Sequence, residues 1–220
     1  LVADGQDGAE VVFTSLLDDA RGGDTNGDGA NTTPLAGHWH GIALGPASGA
    51  SVLRDTQIRF AGNAAGPGNG FWYRPSLLVQ SSVVLERVVV EQNDYRAIRV
   101  EGAGTGPVIR DLTIRDTRQY PISFSPDSDP VFENVQAERS GIPGIRVNSG
   151  TITADQDWNV TSLPYLPEGD LTIAETATLT LGAGTIVKMP RAGELTARGA
   201  IVSQGTPTDP VSITSLNDGS

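Results

Sequence analysis

The chain has 220 residues, of which 38% are hydrophobic and 5% aromatic, and it contains 27 glycines, 14 prolines and no cysteine. Its 26 acidic residues outnumber 15 basic ones, and the formal net charge of −11 disfavours a nucleic-acid or anionic-membrane partner while suiting divalent cations. Disulfides are excluded, and no stretch approaches the roughly 20 consecutive apolar residues that membrane insertion needs.

The first segment of the chain reappears near its end. Residues 1–5 and 11–16 lie over residues 201–205 and 211–216 at a constant offset. One explanation is that any two coils of a repetitive fold look alike. We favour a long-range duplication, which predicts that the chain is one module of a tandem array with a period of about 200 residues. Its partners would then include neighbouring modules of the same parent.

A polar insertion, residues 16–37, follows the first predicted strands and is rich in aspartate and glycine. Oxygen-bearing residues at alternate positions, followed by Gly29, form the opening half of an EF-hand-like calcium loop. Leu35 occupies the place of the usual twelfth-position glutamate, so an earlier aspartate is expected to complete the shell. The predicted Ca²⁺ ligands are Asp24, Asn26 and Asp28, with Asp18 and Asp19. The alternative is a simple acidic, glycine-rich loop.

His38 and His40 flank Trp39 directly after this insertion. On a strand the two histidines would share one face about 7 Å apart, which is close enough for one zinc ion. The sequence places no third ligand beside them. We therefore expect Trp39 to be a packed anchor at the start of a strand, with both histidines pointing outward.

Stretches of the central region can be laid over one another without gaps. They are residues 52–59, 84–91, 108–115 and 131–138, and the last three are followed at matching offsets by residues 97–100, 121–124 and 144–147. The last three recur every 23 or 24 residues, a period typical of stacked units that are each too small to bury their own apolar face. The pattern predicts the coils of a β-solenoid.

Charged side chains of these coils fall into columns whose sign alternates from one coil to the next. The columns are Arg54, Glu86, Arg110, Glu133; Asp55, Arg87, Asp111, Asn134; and Arg59, Glu91, Arg115, Glu138. Equivalent residues of stacked parallel strands lie roughly 4.8 Å apart, where opposite charges attract and like charges repel. The alternation predicts ladders that fix coil order and register, as opposed to solvated faces of mixed charge.

A second insertion, residues 61–75, contains the run Phe71-Trp72-Tyr73-Arg74. Trp72 and Tyr73 are candidate ligand contacts, because exposed aromatic rings stack on sugars or on protein surfaces. The alternative is that the insertion folds down to cover a strand edge or a flank of the core.

The last third of the chain has its own strand pattern. Residues 1–153 are expected to form coils, residues 154–169 a joint or cap, and residues 170–220 further coils of three strands each. The predicted stacking places Leu171 over Leu195, Leu179 over Ile201 and Ile186 over Val211.

The strings Thr-Leu-Thr-Leu, Gly-Thr-Ile-Val-Lys-Met and Gly-Thr-Pro-Thr-Asp-Pro-Val-Ser-Ile-Thr-Ser, within residues 171–215, resemble the repeats of large secreted bacterial proteins of the pectin-lyase-like superfamily. The resemblance implies a right-handed parallel β-helix, an all-β fold with three strands per coil. It also implies a secreted or cell-surface location and the role of a structural or adhesive module that contacts an extracellular polysaccharide or a surface protein. The alternative function is a polysaccharide lyase or glycoside hydrolase, since the fold alone does not decide function.

The sequence offers residue types for such an enzyme but assigns no catalytic residue. A lyase needs acidic calcium ligands beside a basic proton acceptor, and a hydrolase needs two carboxylates across a groove. Candidates by type are Arg110, Asp111, Arg115 and Asp116 for the lyase, and Asp94, Glu101, Asp127 and Asp129 for the hydrolase. The charge ladders account for most of the lyase set without catalysis.

Overall fold

The structure is a computed structural model that describes residues 1–63 and 73–219. In these residues the chain forms twenty β-strands and no helix. A six-stranded sheet contains β1 (Val2–Asp4), β2 (Val11–Phe13), β4 (Val52–Arg59), β6 (Val84–Asn93), β8 (Val108–Thr117) and β10 (Val131–Glu138). An eight-stranded sheet contains β3 (Ile42–Leu44), β5 (Leu77–Val79), β7 (Ile98–Val100), β9 (Ile122–Phe124), β11 (Ile145–Val147), β14 (Tyr165–Pro167), β17 (Ile186–Met189) and β20 (Ser212–Ser215).

Two three-stranded sheets complete the fold. One contains β12 (Gly150–Ile152), β15 (Leu171–Ile173) and β18 (Leu195–Ala197), and the other contains β13 (Gln156–Trp158), β16 (Thr178–Leu181) and β19 (Ala200–Ser203). Every pairing between named strands is parallel. The predicted all-β parallel solenoid is confirmed.

The predicted stacking of the central coils is also confirmed. Leu85 is in register with Leu53 on one side and with Ile109 on the other. One prediction near the end of the chain was wrong, because Ile186 pairs with Ser212 and not with Val211. Strand β20 begins one residue later than expected, which places Ile213 over the buried Val187.

Each long strand of the six-stranded sheet from β4 to β10 bends at its fourth residue, which adopts a left-handed conformation. The bend residues are Asp55, Arg87, Asp111 and Asn134, with φ between 46° and 53°. A second left-handed residue follows five positions later, at Phe60, Gln92, Asp116 and Arg139. Each bend splits a long strand into two short segments, and the short strand that follows supplies a third side of the coil.

The bend explains the spacing of the buried side chains. In β6, Leu85, Val88 and Val90 are fully buried, while Glu86 and Arg87 both point outward. Strict alternation would have sent one of these two charges inward. The interior is thus a stack of aliphatic rows, and the bend supplies the change of phase that two successive outward residues require.

Residues 154–169, expected as a joint or cap, contain β13 and β14. Strand β14 pairs with β11 and β17, and β13 pairs with β16. Trp158 and Tyr165 lie in the core with ring centroids 4.5 Å apart and planes only 7° from parallel. Aromatic packing therefore fills the interior where the bent long strands give way to separate short ones.

Candidate functional site

The aspartate-rich insertion leaves the solenoid directly after β2 and is tied to it by Asp18. The Asp18 side chain is only 4% exposed, accepts a hydrogen bond from Thr14 (2.6 Å) and forms an ion pair with Arg59 (3.0 Å). Arg59 also pairs with Glu91 of the next coil at 2.8 Å. Asp18 therefore anchors the insertion to a charge ladder, and it is not among the carboxylates that converge further along the loop.

Those carboxylates belong to Asp19, Asp24 and Asp28, each of which offers an oxygen within 4.8 Å of the others. Asp24 organises the turn between them, because its Oδ1 accepts hydrogen bonds from the backbone N–H of Gly27 (2.8 Å) and of Asp28 (3.1 Å). Its Oδ2 accepts a third from Gly29 at 2.9 Å. The loop therefore turns back so that Asp24 and Asp28 lie close together, as a cation-binding loop requires.

The remaining polar groups of the loop leave oxygen atoms free to bind a cation. Asp28 Oδ2 accepts a hydrogen bond from Thr32, whose hydroxyl also accepts one from the Asn26 amide nitrogen. Among the described residues, Oδ1 of Asp28 and Oδ1 of Asp19 are shielded from solvent and accept no hydrogen bond. Buried carboxylate oxygens are ordinarily paired or bound to a metal ion.

The electrostatics of this cluster also favour a cation. Burial raises the pKa of the Asp19 carboxyl, and the nearby charges of Asp24, Asp28 and Asp18 raise it further. Hard oxygen donors of this kind suit Ca²⁺, and backbone carbonyl groups or water would complete its six to eight ligands. Asn26 Oδ1 lies 3.4 Å from the Asp28 nitrogen, so its side chain stays within the same turn.

The histidines next to the insertion point outward as predicted, but Trp39 forms an isolated bridge with Ala61, and the strand expected to start there begins at Ile42. His38 and His40 are exposed, while Trp39 packs against the core and donates a hydrogen bond from Nε1 to the Arg59 carbonyl oxygen at 2.7 Å. The sequence did not reveal that Ser15 Oγ lies 2.9 Å from His38 Nδ1. Ser15 also accepts a hydrogen bond from the Leu17 N–H, which gives it a structural role in the turn.

Each residue that a lyase would use is paired with a residue on the next coil. Arg110 pairs with Glu133 (2.7 Å), Arg115 with Glu138 (3.7 Å), and Asp116 with Arg139 through two contacts of 2.5 and 2.9 Å. Asp111 accepts a hydrogen bond from Asn134 at 2.6 Å. Of the hydrolase candidates, Asp94 pairs with Arg118 at 2.8 Å and Glu101 with Arg99 at 2.6 Å. Apart from the Arg99–Glu101 pair, which lies within one coil, these contacts join neighbouring coils.

The charged columns form ion pairs between some neighbouring coils and not between others. Arg54 contacts Glu86 and Arg87 contacts Asp55, which join β4 to β6, and the pairs described above join β8 to β10. Within the described residues no ion pair links Glu86 to Arg110, although the two are in register. The Arg87 guanidinium lowers the pKa of the Asp55 carboxyl, and the Arg139 guanidinium lowers that of Asp116.

We expect a charge reversal in one pair to destabilise the module and a second reversal to recover part of the loss. Arg110→Glu places a carboxylate between Glu86 and Glu133 and should lower the melting temperature by about 1–3 °C, a small effect because the pair is exposed. Adding Glu133→Arg should restore part of it. The thermal double-mutant cycle measures the coupling, and strictly additive effects would contradict the ladder.

The aromatic residues near the second insertion stack along the solenoid. Trp72 lies outside the described residues, whereas the Tyr73 ring lies 5.1 Å from that of Tyr95. The buried Arg96 guanidinium lies 4.9 Å from the Tyr95 ring, and 6.0 Å from the ring of Tyr120 on the next coil. These contacts support a covering role for Tyr73, which is 48% exposed.

A buried polar row joins successive coils at a corner of the solenoid. Ser76 Oγ donates a hydrogen bond to Asn93 Oδ1, and Asn93 Nδ2 donates one to Thr117 Oγ1 at 3.2 Å. All three side chains are almost completely buried. The sequence analysis missed this row, although Asn93 and Thr117 are separated by one coil period and are in register.

Comparison of the chain with models of known protein families, with curated proteins and with solved structures gives no match. In the part of the chain that the structure describes, no helix has the length and apolar character needed to cross a membrane.

Proposed function

We propose that this chain is a structural module of an exported bacterial β-solenoid, stabilised by Ca²⁺ at the Asp19, Asp24 and Asp28 cluster. In the parent it would extend, display or adhere at the cell surface. The observation that carries this proposal is that the charged side chains of the three columns contact partners on neighbouring coils. A surface committed in this way to holding coils in register suits a stalk or a scaffold better than a catalytic groove.

Calcium would act on the coil beneath the loop as well as on the loop itself. The cluster follows directly after Asp18, and Asp18 pairs with Arg59, which pairs in turn with Glu91. An ion that fixes Asp19 would therefore restrict the segment that docks on β4. Because the ion binds the folded loop and the unfolded chain supplies no formed site, its binding energy adds to the free energy of unfolding.

The test is thermal unfolding in saturating calcium and in excess chelator. We expect calcium to stabilise the wild-type chain by about 2.7 kcal/mol at a concentration one hundred times the dissociation constant. Asp28→Asn should remove most of this difference, because it replaces a carboxylate whose Oδ1 is shielded and free of hydrogen bonds. Asp7→Asn is the matched control, because it makes the same charge change at an exposed loop position away from the cluster.

Identical melting curves of the wild-type chain in calcium and in chelator would exclude the site. A calcium effect that survives Asp28→Asn unchanged would place the ion elsewhere.

Adhesion is the second part of the proposal, with an extracellular polysaccharide or a surface protein as the partner. It is supported by the half-exposed Tyr73, whose ring is held by Tyr95 beside Arg96. On a glycan array we expect binding without release of sugar ends. Appearance of unsaturated or reducing ends from acidic polysaccharides would favour the enzymatic alternative.

A further inference from the structure

The two ends of the chain form the same local structure. Thr14 Oγ1 donates to Asp18 Oδ2 at 2.6 Å, and Thr214 Oγ1 donates to Asp218 Oδ2 at 2.7 Å. The Ser15 hydroxyl accepts the N–H two residues later at 3.1 Å, as the Ser215 hydroxyl does at 3.2 Å. The match of residues 1–16 with 201–216 in sequence is thus a match in hydrogen bonds as well.

Backbone hydrogen bonds repeat at the same offset. The Asp18 N–H donates to the Ser15 carbonyl at 3.0 Å, and its counterpart, from Asp218 to Ser215, measures 2.9 Å. Backbone hydrogen bonds between Gln6 and Ala9 close the turn between the first two strands. In its counterpart, the Thr206 N–H donates to the Asp209 carbonyl oxygen. Four equivalent hydrogen bonds exceed what a general likeness between coils would produce, because each involves a particular side chain or turn.

The first copy of this segment, residues 1–19, and the second, residues 201–219, pair with neighbouring strands through opposite edges. In the first copy, β1 and β2 pair with β4, which lies after them in the solenoid. In the second copy, β19 pairs with β16 and β20 with β17, which lie before them. Among the described residues, each copy thus lacks the neighbour that the other copy has.

The unpaired edge of the second copy carries exposed apolar side chains. Ile213 is 50% exposed and Leu216 47%, and all four residues of β19 are exposed. In the first copy Leu1 is 51% and Val2 72% exposed, and among the described residues β1 pairs with β4 alone. Stacked apolar faces of this kind are covered by an adjoining coil in repeat folds.

We propose that, in a tandem chain, residues 1–19 of one copy take the place that residues 201–219 hold here, so that β1 and β2 lie between β4 of their own copy and β16 and β17 of the copy before. Val2 would keep Val52 on one side and face Thr180 of the preceding copy on the other, and Phe13 would keep Ile58 and face Val187 of the preceding copy, because Val202 and Ile213 face those residues here. The two sets of pairings are compatible, because they use opposite edges of β1 and β2. The inference deepens the structural role proposed above and does not depend on calcium.

This register makes a prediction for individual amide groups. The N–H groups of Gln204, Ser212 and Leu216 donate to carbonyls of Leu181, Thr185 and Met189 in the preceding coil. Their counterparts in the first segment are Asp4, Val12 and Leu16. Gly5 donates to the Arg54 carbonyl on the other edge, and N–H groups of a parallel strand alternate between its two sides.

The experiment is a tandem chain in which residues 1–200 are joined directly to residue 1 of a complete second copy. Hydrogen exchange is measured for the amides of Asp4, Val12 and Leu16 of the second copy, with Gly5 as the internal reference. We expect these three amides to exchange roughly 100-fold more slowly than in the single module, and Gly5 to be protected in both. A fusion with Gly-Ser inserted at the joint is the matched control and should lose this protection.

The proposal is overturned if the three amides exchange as fast in the direct fusion as in the single module, or if the insertion changes nothing. The measurement is repeated in calcium and in chelator, so that loss of the calcium effect and failure of the joint are seen separately.

Discussion

Ile114→Ala should lower the free energy of unfolding by about 2–5 kcal/mol. Ile114 is completely buried and lies in register between Val90 on one coil and Ala137 on the other. Truncation removes three carbon atoms from a row that neighbouring coils cannot collapse to fill, since strand spacing is fixed by the backbone hydrogen bonds. The transfer and cavity contributions therefore add.

The matched control is the same substitution at the end of the solenoid. Ile213 is 50% exposed, and among the described residues its strand pairs with β17 alone, so Ile213→Ala should cost less than about 1 kcal/mol. Urea unfolding of the two variants gives both values. Equal losses would contradict a core that is built coil by coil, in which an interior row contacts two neighbours and a terminal row one.

The stacking of the central coils could be predicted because the same physical constraint acts on each one. A side chain inside a narrow solenoid meets its equivalent above and below, so apolar and charged positions both recur at the coil period. Leu53, Leu85 and Ile109 share one row for this reason. The same logic predicted the contacts of Arg54 with Glu86 and of Arg110 with Glu133.

The bends could not be predicted in the same way. In long strands such as β6, the buried apolar positions Leu85, Val88 and Val90 are separated by three positions and then by two, and a bend leaves this spacing in the sequence. The left-handed conformation of the bend could not be predicted from residue type, because Arg87 adopts it as well as Asp55, Asp111 and Asn134. Of these residue types, only aspartate and asparagine are enriched at positive φ. The error at Ile186 has a related cause, since a strand that starts one residue later leaves the apolar pattern nearly unchanged.

In the candidate site, too, one part of the structure could be predicted from the sequence and another part could not. Alternate oxygen-bearing residues before a glycine predicted a turn that gathers carboxylates, and Asp24 and Asp28 do converge. Which of two adjacent aspartates would join them depended on tertiary contacts. Asp18 faces Thr14 and Arg59 and Asp19 faces the cluster, because the two lie where consecutive turns meet, one closed by the Asp18 N–H on Ser15 and the next by the Arg21 N–H on Asp18.

Asn93→Ala should lower the free energy of unfolding by about 2–4 kcal/mol, although it removes no apolar contact of comparable size. The Asn93 amide joins the hydroxyls of Ser76 and Thr117 inside the solenoid, where the three side chains are at most 2% exposed. Alanine leaves two buried hydroxyls with a lost partner, and the desolvation of each unpaired group opposes folding. The loss exceeds that of an ordinary surface hydrogen bond because the two hydroxyls are shielded from bulk water, which would otherwise pair with them.

Asn159→Ala makes the same chemical change at an exposed position and should cost less than about 0.5 kcal/mol. Thr117→Val separates the contributions, since it removes one hydrogen bond while filling the same space, and its effect should fall between those of the two asparagine variants. Denaturant titration of the three variants gives the order. If Asn93→Ala is no worse than Asn159→Ala, the polar row does not hold the corner together, and the stability of the central coils then resides in their aliphatic rows and charged pairs.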